Sequence, residues 1–305
     1  MSTSSPNENS AEPMFFADYS QRDFEVVNYR FYELPGIPKV GFRGPELSKE
    51  VLDSGNYFTV FGAAQSLGVY VEKPYPDLLA ERIGLPALNL SLGGINPGYF
   101  ADNDVLLQLA NGGSFVVLQV MTARTEPNDR IEPIGISMVR DLKTGATDIP
   151  EAVWARVINE DREQLPGYIA QNLSSWHAAY TRLLSRLKVP VILFYFSYKP
   201  DDERIDYAAK DWEAFYGSFP QFVGMDDVRK VAALCTSYAE CRSNRELGHL
   251  ILSRFTGKPV EIDFSVLHSS ASGKFARNHY YPSPQMHEDA VPPLEAAIRQ
   301  LGLAR

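Results

Sequence analysis

The chain has 305 residues, of which 45% are hydrophobic, 22% charged and 12% aromatic. That is enough apolar material for one large α/β domain or two small ones. A net charge of −9 excludes a general nucleic-acid binder, because phosphate binding needs a basic face.

The first residues, "MSTSSPNENSAEP", are polar and Ser-rich. Without an apolar run they make neither a secretory signal nor an anchor, so residues 1–14 read as a disordered leader and the protein as cytoplasmic. No apolar segment reaches ~20 residues, so no membrane insertion is expected. Residues 15–54 are rich in Phe and Tyr, and their Pro and Gly spacing forbids a long helix. They read as an arm packed on the main domain, which spans 55–305.

Strands and helices then alternate. "YFTVFG" at 57–62 is a short apolar, β-branched and aromatic run and predicts a buried strand. A helix is predicted over 74–84, with Pro at its start and Gly at its end. "PALNLSLGG" predicts a second strand ending in a glycine pair. A helix over 101–113 and a third strand, "SFVVLQVM", follow. Residues 122–165 read as a loop-rich insertion with one short helix at 150–158. The apolar spacing of 167–188 predicts a long amphipathic helix. "VPVILFYFS" is the fourth strand and "SYAECR" a possible fifth, after a helix over 225–235. A last helix is predicted around 293–301. Cys235 and Cys241 lie six apart, which on an extended strand separates their Cα atoms by roughly 20 Å, too far for a disulfide. They read as buried free thiols.

Continuous apolar strands alternating with helices predict a three-layer α/β/α sandwich on a mainly parallel sheet, with the flavodoxin-like order 2-1-3-4-5. Ligands of such sheets sit beyond the carboxyl ends of the strands, where the strand order reverses. Those loops carry Gln65 and Ser66 after the first strand and Gly93, Gly94 and Asn96 after the second. Arg124 and Thr125 follow the third strand, and Lys199 the fourth. His279 and His287 lie near the C-terminus. There is no phosphate-binding loop, dinucleotide glycine fingerprint, zinc spacing or His-Glu-x-x-His, so no cofactor and no metal are expected.

This layout resembles the SGNH hydrolase superfamily. The strings "GAAQSLG", "KPYPDLL", "QVMTAR" and "YYPSPQMH" are similar to an uncharacterised bacterial subgroup of SGNH-like proteins, some labelled sulfotransferase or polysaccharide biosynthesis. In the superfamily a Gly-Asp-Ser turn after strand one supplies the nucleophile; here it is Gly62-Ala63-Ala64, with Ala64 at the nucleophile position. Gly93 or Gly94 matches the glycine block after strand two. Arg124 and Thr125 replace an Asn after strand three. Pro284-Gln285-Met286-His287 keeps the His of the Asp-x-x-His block and loses the Asp.

The resemblance implies an enzyme transferring or removing an acyl or similar small group on a carbohydrate, in surface-polysaccharide biosynthesis. In that reading Ser66 replaces the lost nucleophile, His287 is the acid/base, and Gln65, Ser66 and the glycine N–H groups cradle an anion. Arg124, with Lys199, holds an anionic group. Otherwise Ser66 caps a helix, and Arg124 and Lys199 are paired with local acids such as Glu126 or Asp201. The other function readings are a catalytically degenerate protein that binds a glycan or an anion, and a sulfotransferase. Nothing in the sequence fixes the oligomeric state.

Overall fold

The computed structural model describes residues 23–263 and 274–303. The proposed leader, the start of the arm and residues 264–273 therefore lie outside the described residues. The central sheet has five parallel strands: β1 (Phe58–Phe61), β2 (Ala87–Asn89), β3 (Phe115–Gln119), β4 (Val191–Ser197) and β5 (Ser237–Arg242). Their order is β5-β4-β3-β1-β2, the 2-1-3-4-5 arrangement expected, so the order reverses at β1.

Alternate residues of each central strand enter opposite cores, because side chains on a strand point to alternate faces. Val116, Leu118, Leu193 and Tyr195 pack on one side with α2 (Asp104–Gly112), α3 (Leu165–Arg186) and α4 (Met225–Ala232). Phe115, Val117, Ile192, Phe194 and Phe196 pack on the other with α1 (Tyr75–Ile83) and α5 (Pro284–Gln300). Burial on both faces is why these strands read as unbroken apolar runs.

Two expectations need correction. The last helix starts at Pro284, about nine residues early, and runs through Pro292 and Pro293. Interior prolines each cost ~3 kcal/mol or more, but Met286, Ala290, Leu294, Ala297 and Ile298 form one buried stripe, and Ser283 caps the start by accepting from the Met286 N–H. His287 therefore sits in the first turn of α5. The insertion is also more ordered than its loop-like composition suggests. It folds into an antiparallel sheet of Ile131–Ile134, Met138–Asp141 and Thr147–Asp148, followed by the helix Pro150–Glu160. Buried Arg130 ties this sheet to that helix by pairing with Asp141, Glu160 and Asp161.

Residues 32–34 and 37–42 form a hairpin whose Phe42 enters the main core. The next residue, Arg43, is buried. Its guanidinium donates to the carbonyls of Leu67 and Gly68 at 2.9 Å and of Val71 and Glu72 at 2.8 Å. One cation thus gathers four carbonyls at and beyond the end of the helix Ala64–Leu67, the turn after β1. Both cysteines are free. Cys241 is on β5, whereas Cys235 precedes it in the turn after α4 and bonds the Val231 carbonyl.

Candidate functional site

The turn after β1 is closed. Gly62 lacks a Cβ, and one placed there would lie 2.6 Å from both Gln119 Oε1 and Ser66 Oγ. The glycine therefore lets the end of β3 and the first turn meet. Gln119 Oε1 accepts from the Ala63 N–H at 2.9 Å and from Ser66 Oγ at 2.6 Å. Ser66 Oγ also bonds the Tyr75 hydroxyl at 2.7 Å. Since the serine has one proton, donating it to Gln119 makes Tyr75 the donor to Ser66. Asn89 at the end of β2 donates to the Ser66 carbonyl at 3.0 Å. Ser66 is fully buried in this network.

His287 is also fully buried. Its Nδ1 accepts from the Tyr75 N–H at 3.0 Å, which places the proton of the neutral ring on Nε2. Nε2 has no hydrogen-bond partner among the described residues. The imidazole lies against Tyr75 and Phe196, with ring centroids 5.9 and 5.3 Å away. Burial, with the charge of Arg43, pushes its pKa down to about 3. Ser66 and His287 share Tyr75 as a neighbour, but no hydrogen bond joins them. General-base activation of a serine needs that bond, at about 3 Å.

The glycine block is covered. Gly94 has φ +70°, and a Cβ on it would fall 2.0 Å from Ser137 Oγ at the tip of the insertion hairpin. Ser137 donates to the Gly93 carbonyl at 2.8 Å. The small sheet of the insertion thus lies over the loop after β2.

Neither expected cation is free. Arg124 pairs with Glu151, not with Glu126 or Asp201, and its guanidinium lies 5.0 Å from the Tyr216 ring centroid. Burial opposes its charge, yet Glu151 and the phenols of Tyr280 and Tyr216 hold its pKa above the ordinary value. Asp201 instead pairs with Arg242. Lys199 Nζ donates to the carbonyls of Pro220 and Val223 at 3.3 and 3.2 Å and lies 3.7 Å from Glu203. Burial lowers its pKa, with Glu203 opposing. His279 is exposed and packs on the backbone of Gly248.

Several buried polar atoms at this end of the sheet lack a hydrogen-bond partner among the described residues, Gln119 Nε2 and Arg124 Nε among them. Gln65 Oε1 after β1, Ser91 Oγ after β2, Thr125 Oγ1 and Glu126 Oε1 after β3, and Gln221 Oε1 after β4 are all buried without a hydrogen-bond partner among the described residues. Such atoms are rare in folded proteins and call for a ligand or water. Asn96 joins two of these loops: Oδ1 accepts from the Tyr99 N–H at 3.1 Å and Nδ2 donates to the Thr125 carbonyl at 3.4 Å. A cleft of about 450 Å³ opens beside it, with Glu126 in its lining. Burial pushes the Glu126 carboxyl up to about 8, Arg182 opposing and Asp102 adding to the rise.

Three hub residues were missed at the level of sequence. Gln119, the lone polar residue of "FVVLQ", carried a signal in its strand pattern. Tyr75 and Glu126 carried none beyond their neighbourhoods, because His287, which accepts from Tyr75, and Arg182, whose charge acts on Glu126, are remote in sequence. Among the described residues no group of three or more His, Cys, Asp or Glu side chains could hold a metal ion, and no helix is long and apolar enough to cross a membrane.

Residues 14–130 match a family model described as a domain of unknown function, DUF6473. No curated protein matches the chain. Among solved structures, TesA is 14% identical over 80% of this chain and 99% of its own, with a TM-score of 0.39. An extracellular lipase from Streptomyces rimosus is 15% identical over 79% of this chain and 99% of its own, also with a TM-score of 0.39. An acetyl xylan esterase, Est2A, from the rumen bacterium Butyrivibrio proteoclasticus is 13% identical over 88% of this chain and 68% of its own, again at 0.39. Likeness at this level says nothing of what this chain acts on.

Proposed function

We propose that this protein binds a carbohydrate at the carboxyl end of its sheet without serine-nucleophile chemistry. The supporting observation is the set of buried, unpaired polar atoms on Gln65, Ser91, Thr125, Glu126 and Gln221. These are neutral donors and acceptors, or a carboxyl held protonated near neutrality, and they suit a hydroxylated ligand better than an anion. Arg124 and Lys199, the cations expected to take an anion, are already compensated within the protein. That also weakens the sulfuryl-transfer reading. Ala64 has no nucleophilic atom, and the proton of Ser66 is committed to Gln119. The sequence resemblance supports a place in surface-polysaccharide production.

A second reading keeps chemistry in the same place: transfer or removal of an acyl group on that carbohydrate. The observation favouring it is Glu126, a carboxyl with a raised pKa of the kind that serves in acid–base catalysis.

Calorimetric titration with bacterial polysaccharides and their de-O-acetylated forms tests the first reading, alongside turnover of 4-nitrophenyl acetate. Carbohydrate binding with no turnover above the buffer rate supports it. Turnover lost in Ser66→Ala, with the fold intact, overturns it in favour of a nucleophilic serine. Turnover kept in Ser66→Ala and lost in Glu126→Leu selects the second reading.

A further inference from the structure

The cleft beside Asn96 is a built cavity on a defined part of the fold. One wall is the short helix Pro97–Ala101, whose N-cap is Asn96. A second is the middle of α3, with Ser175 and Arg182, and the insertion hairpin contributes Pro133. Its volume of about 450 Å³ falls within the range of small-molecule sites, about 300–1,000 Å³.

Most polar groups around it are spoken for. Asn96 uses both ends of its amide, as described above. Ser175 Oγ donates to the Pro127 carbonyl at 2.9 Å. Asn103 caps α2 by accepting from the Leu106 N–H at 3.2 Å. Arg182 pairs with Asp102 at 3.2 Å.

Glu126 differs. It is 3% exposed, its side chain makes no hydrogen bond or ion pair among the described residues, and Oε1 is buried there without a partner. An ionised carboxylate in that position would cost several kcal/mol. A protonated one offers a hydroxyl donor and a carbonyl acceptor side by side. Two adjacent hydroxyls on a ring match that pair: one accepts from the acid O–H and the other donates to the C=O. Tyr99, half-buried in the lining, and Pro133 supply apolar faces for the C–H side of such a ring.

We propose that this cleft is a saccharide subsite in which the Glu126 carboxyl bridges two adjacent hydroxyls of one sugar ring. The assignment rests on the carbohydrate-binding reading above and names its anchoring residue. The charged and titratable groups facing Glu126 are Arg182 on α3, Asp102 at the end of the short helix, Tyr180 on α3 and Tyr99 in the cleft lining. Ionisation of Glu126 removes the O–H donor, so binding weakens as pH rises through about 8.

The test is calorimetric titration of the full chain with glucose, galactose, mannose and rhamnose. It uses wild type, Glu126→Leu and Glu126→Gln at pH 6 to 9, each variant checked by thermal unfolding. Wild type is expected to bind at least one sugar, with affinity falling as pH rises. Glu126→Leu should bind about 10-fold or more weakly, the loss of roughly 1.4 kcal/mol. Glu126→Gln, which keeps one donor and one acceptor, should bind at every pH without the fall. The Gln variant also guards against a Leu variant that fails to fold. If sugars bind and both variants match wild type at every pH, the subsite is wrong while carbohydrate binding stands. If wild type binds none of these sugars but binds a polysaccharide with no effect of Glu126, the subsite is again wrong. If it binds neither sugars nor polysaccharides, both readings fall.

Discussion

The backbone N–H of Tyr75 donates to Nδ1 of His287 across 3.0 Å, joining the first turn of α1 to the first turn of α5. The two residues are 212 positions apart, and the bond fixes the tautomer of His287. It makes His287 a buried acceptor that closes a helix start, with its remaining N–H unpaired among the described residues.

The histidine should therefore act on stability through pH. Its folded pKa, about 3, lies below the usual 6.5. Unfolding then takes up a proton between these values, so stability is complete above pH 6.5 and is lost as pH falls toward 3. Urea unfolding midpoints from pH 7 to pH 4 should fall more steeply in wild type than in His287→Ala. Parallel curves would show that His287 is not the group responsible.

Glu126 should have the opposite sign. A carboxyl held up to about 8, against the usual 4.5, releases about one proton on unfolding between those values. Stability from this group is present below pH 4.5 and is lost as pH rises toward 8. Glu126→Gln should flatten the wild-type decline between pH 5 and pH 8 in the same unfolding assay.

Ser66→Ala removes two hydrogen bonds and leaves the Tyr75 hydroxyl buried without its partner. The expected cost is about 1–3 kcal/mol, read as a lower urea midpoint at unchanged slope. Carbohydrate affinity should stay within about two-fold of wild type, since the serine faces Gln119 and Tyr75. A loss of affinity with no loss of stability would contradict that placement.

Arg43→Met should do more damage than its surface-like chemistry suggests. It removes four hydrogen bonds to carbonyls over Leu67 to Glu72, of which, among the described residues, Gly68 alone keeps a second partner, the Val71 N–H, for a cost of about 3 kcal/mol or more. Amide exchange in residues 64–72 should speed up well before exchange in β3 or β4. Uniform acceleration across the sheet would mean that Arg43 supports the whole core and not this turn.

Gly94→Ala should dislodge the insertion hairpin. The left-handed backbone at φ +70° disfavours any Cβ by roughly 1–2 kcal/mol, and the collision with Ser137 adds to that. Faster amide exchange across residues 131–141, with β1 to β4 protected, is the expected pattern.

The fold was legible because its signals are local. "FVVLQ" and "VILFYFS" are apolar at successive positions, which only a strand buried on both faces requires. The order 2-1-3-4-5 followed from the strand–helix alternation. The C-terminal helix was misjudged because two prolines argue locally for a break, while the buried stripe from Met286 to Ile298 argues against one only once its partners are in place.

The candidate site was legible as a position, not as chemistry. The sequence alone determined that a parallel sheet forms and that its carboxyl-end loops carry Gln65, Ser66, Arg124 and Thr125. Only the tertiary structure decided which of these side chains are consumed. Gln119 claims Ser66, Glu151 claims Arg124, Tyr75 claims His287, and the insertion hairpin covers Gly93 and Gly94. Whether a polar side chain is open to a ligand depends on what lies within about 3 Å of it, and those neighbours come from up to 212 residues away.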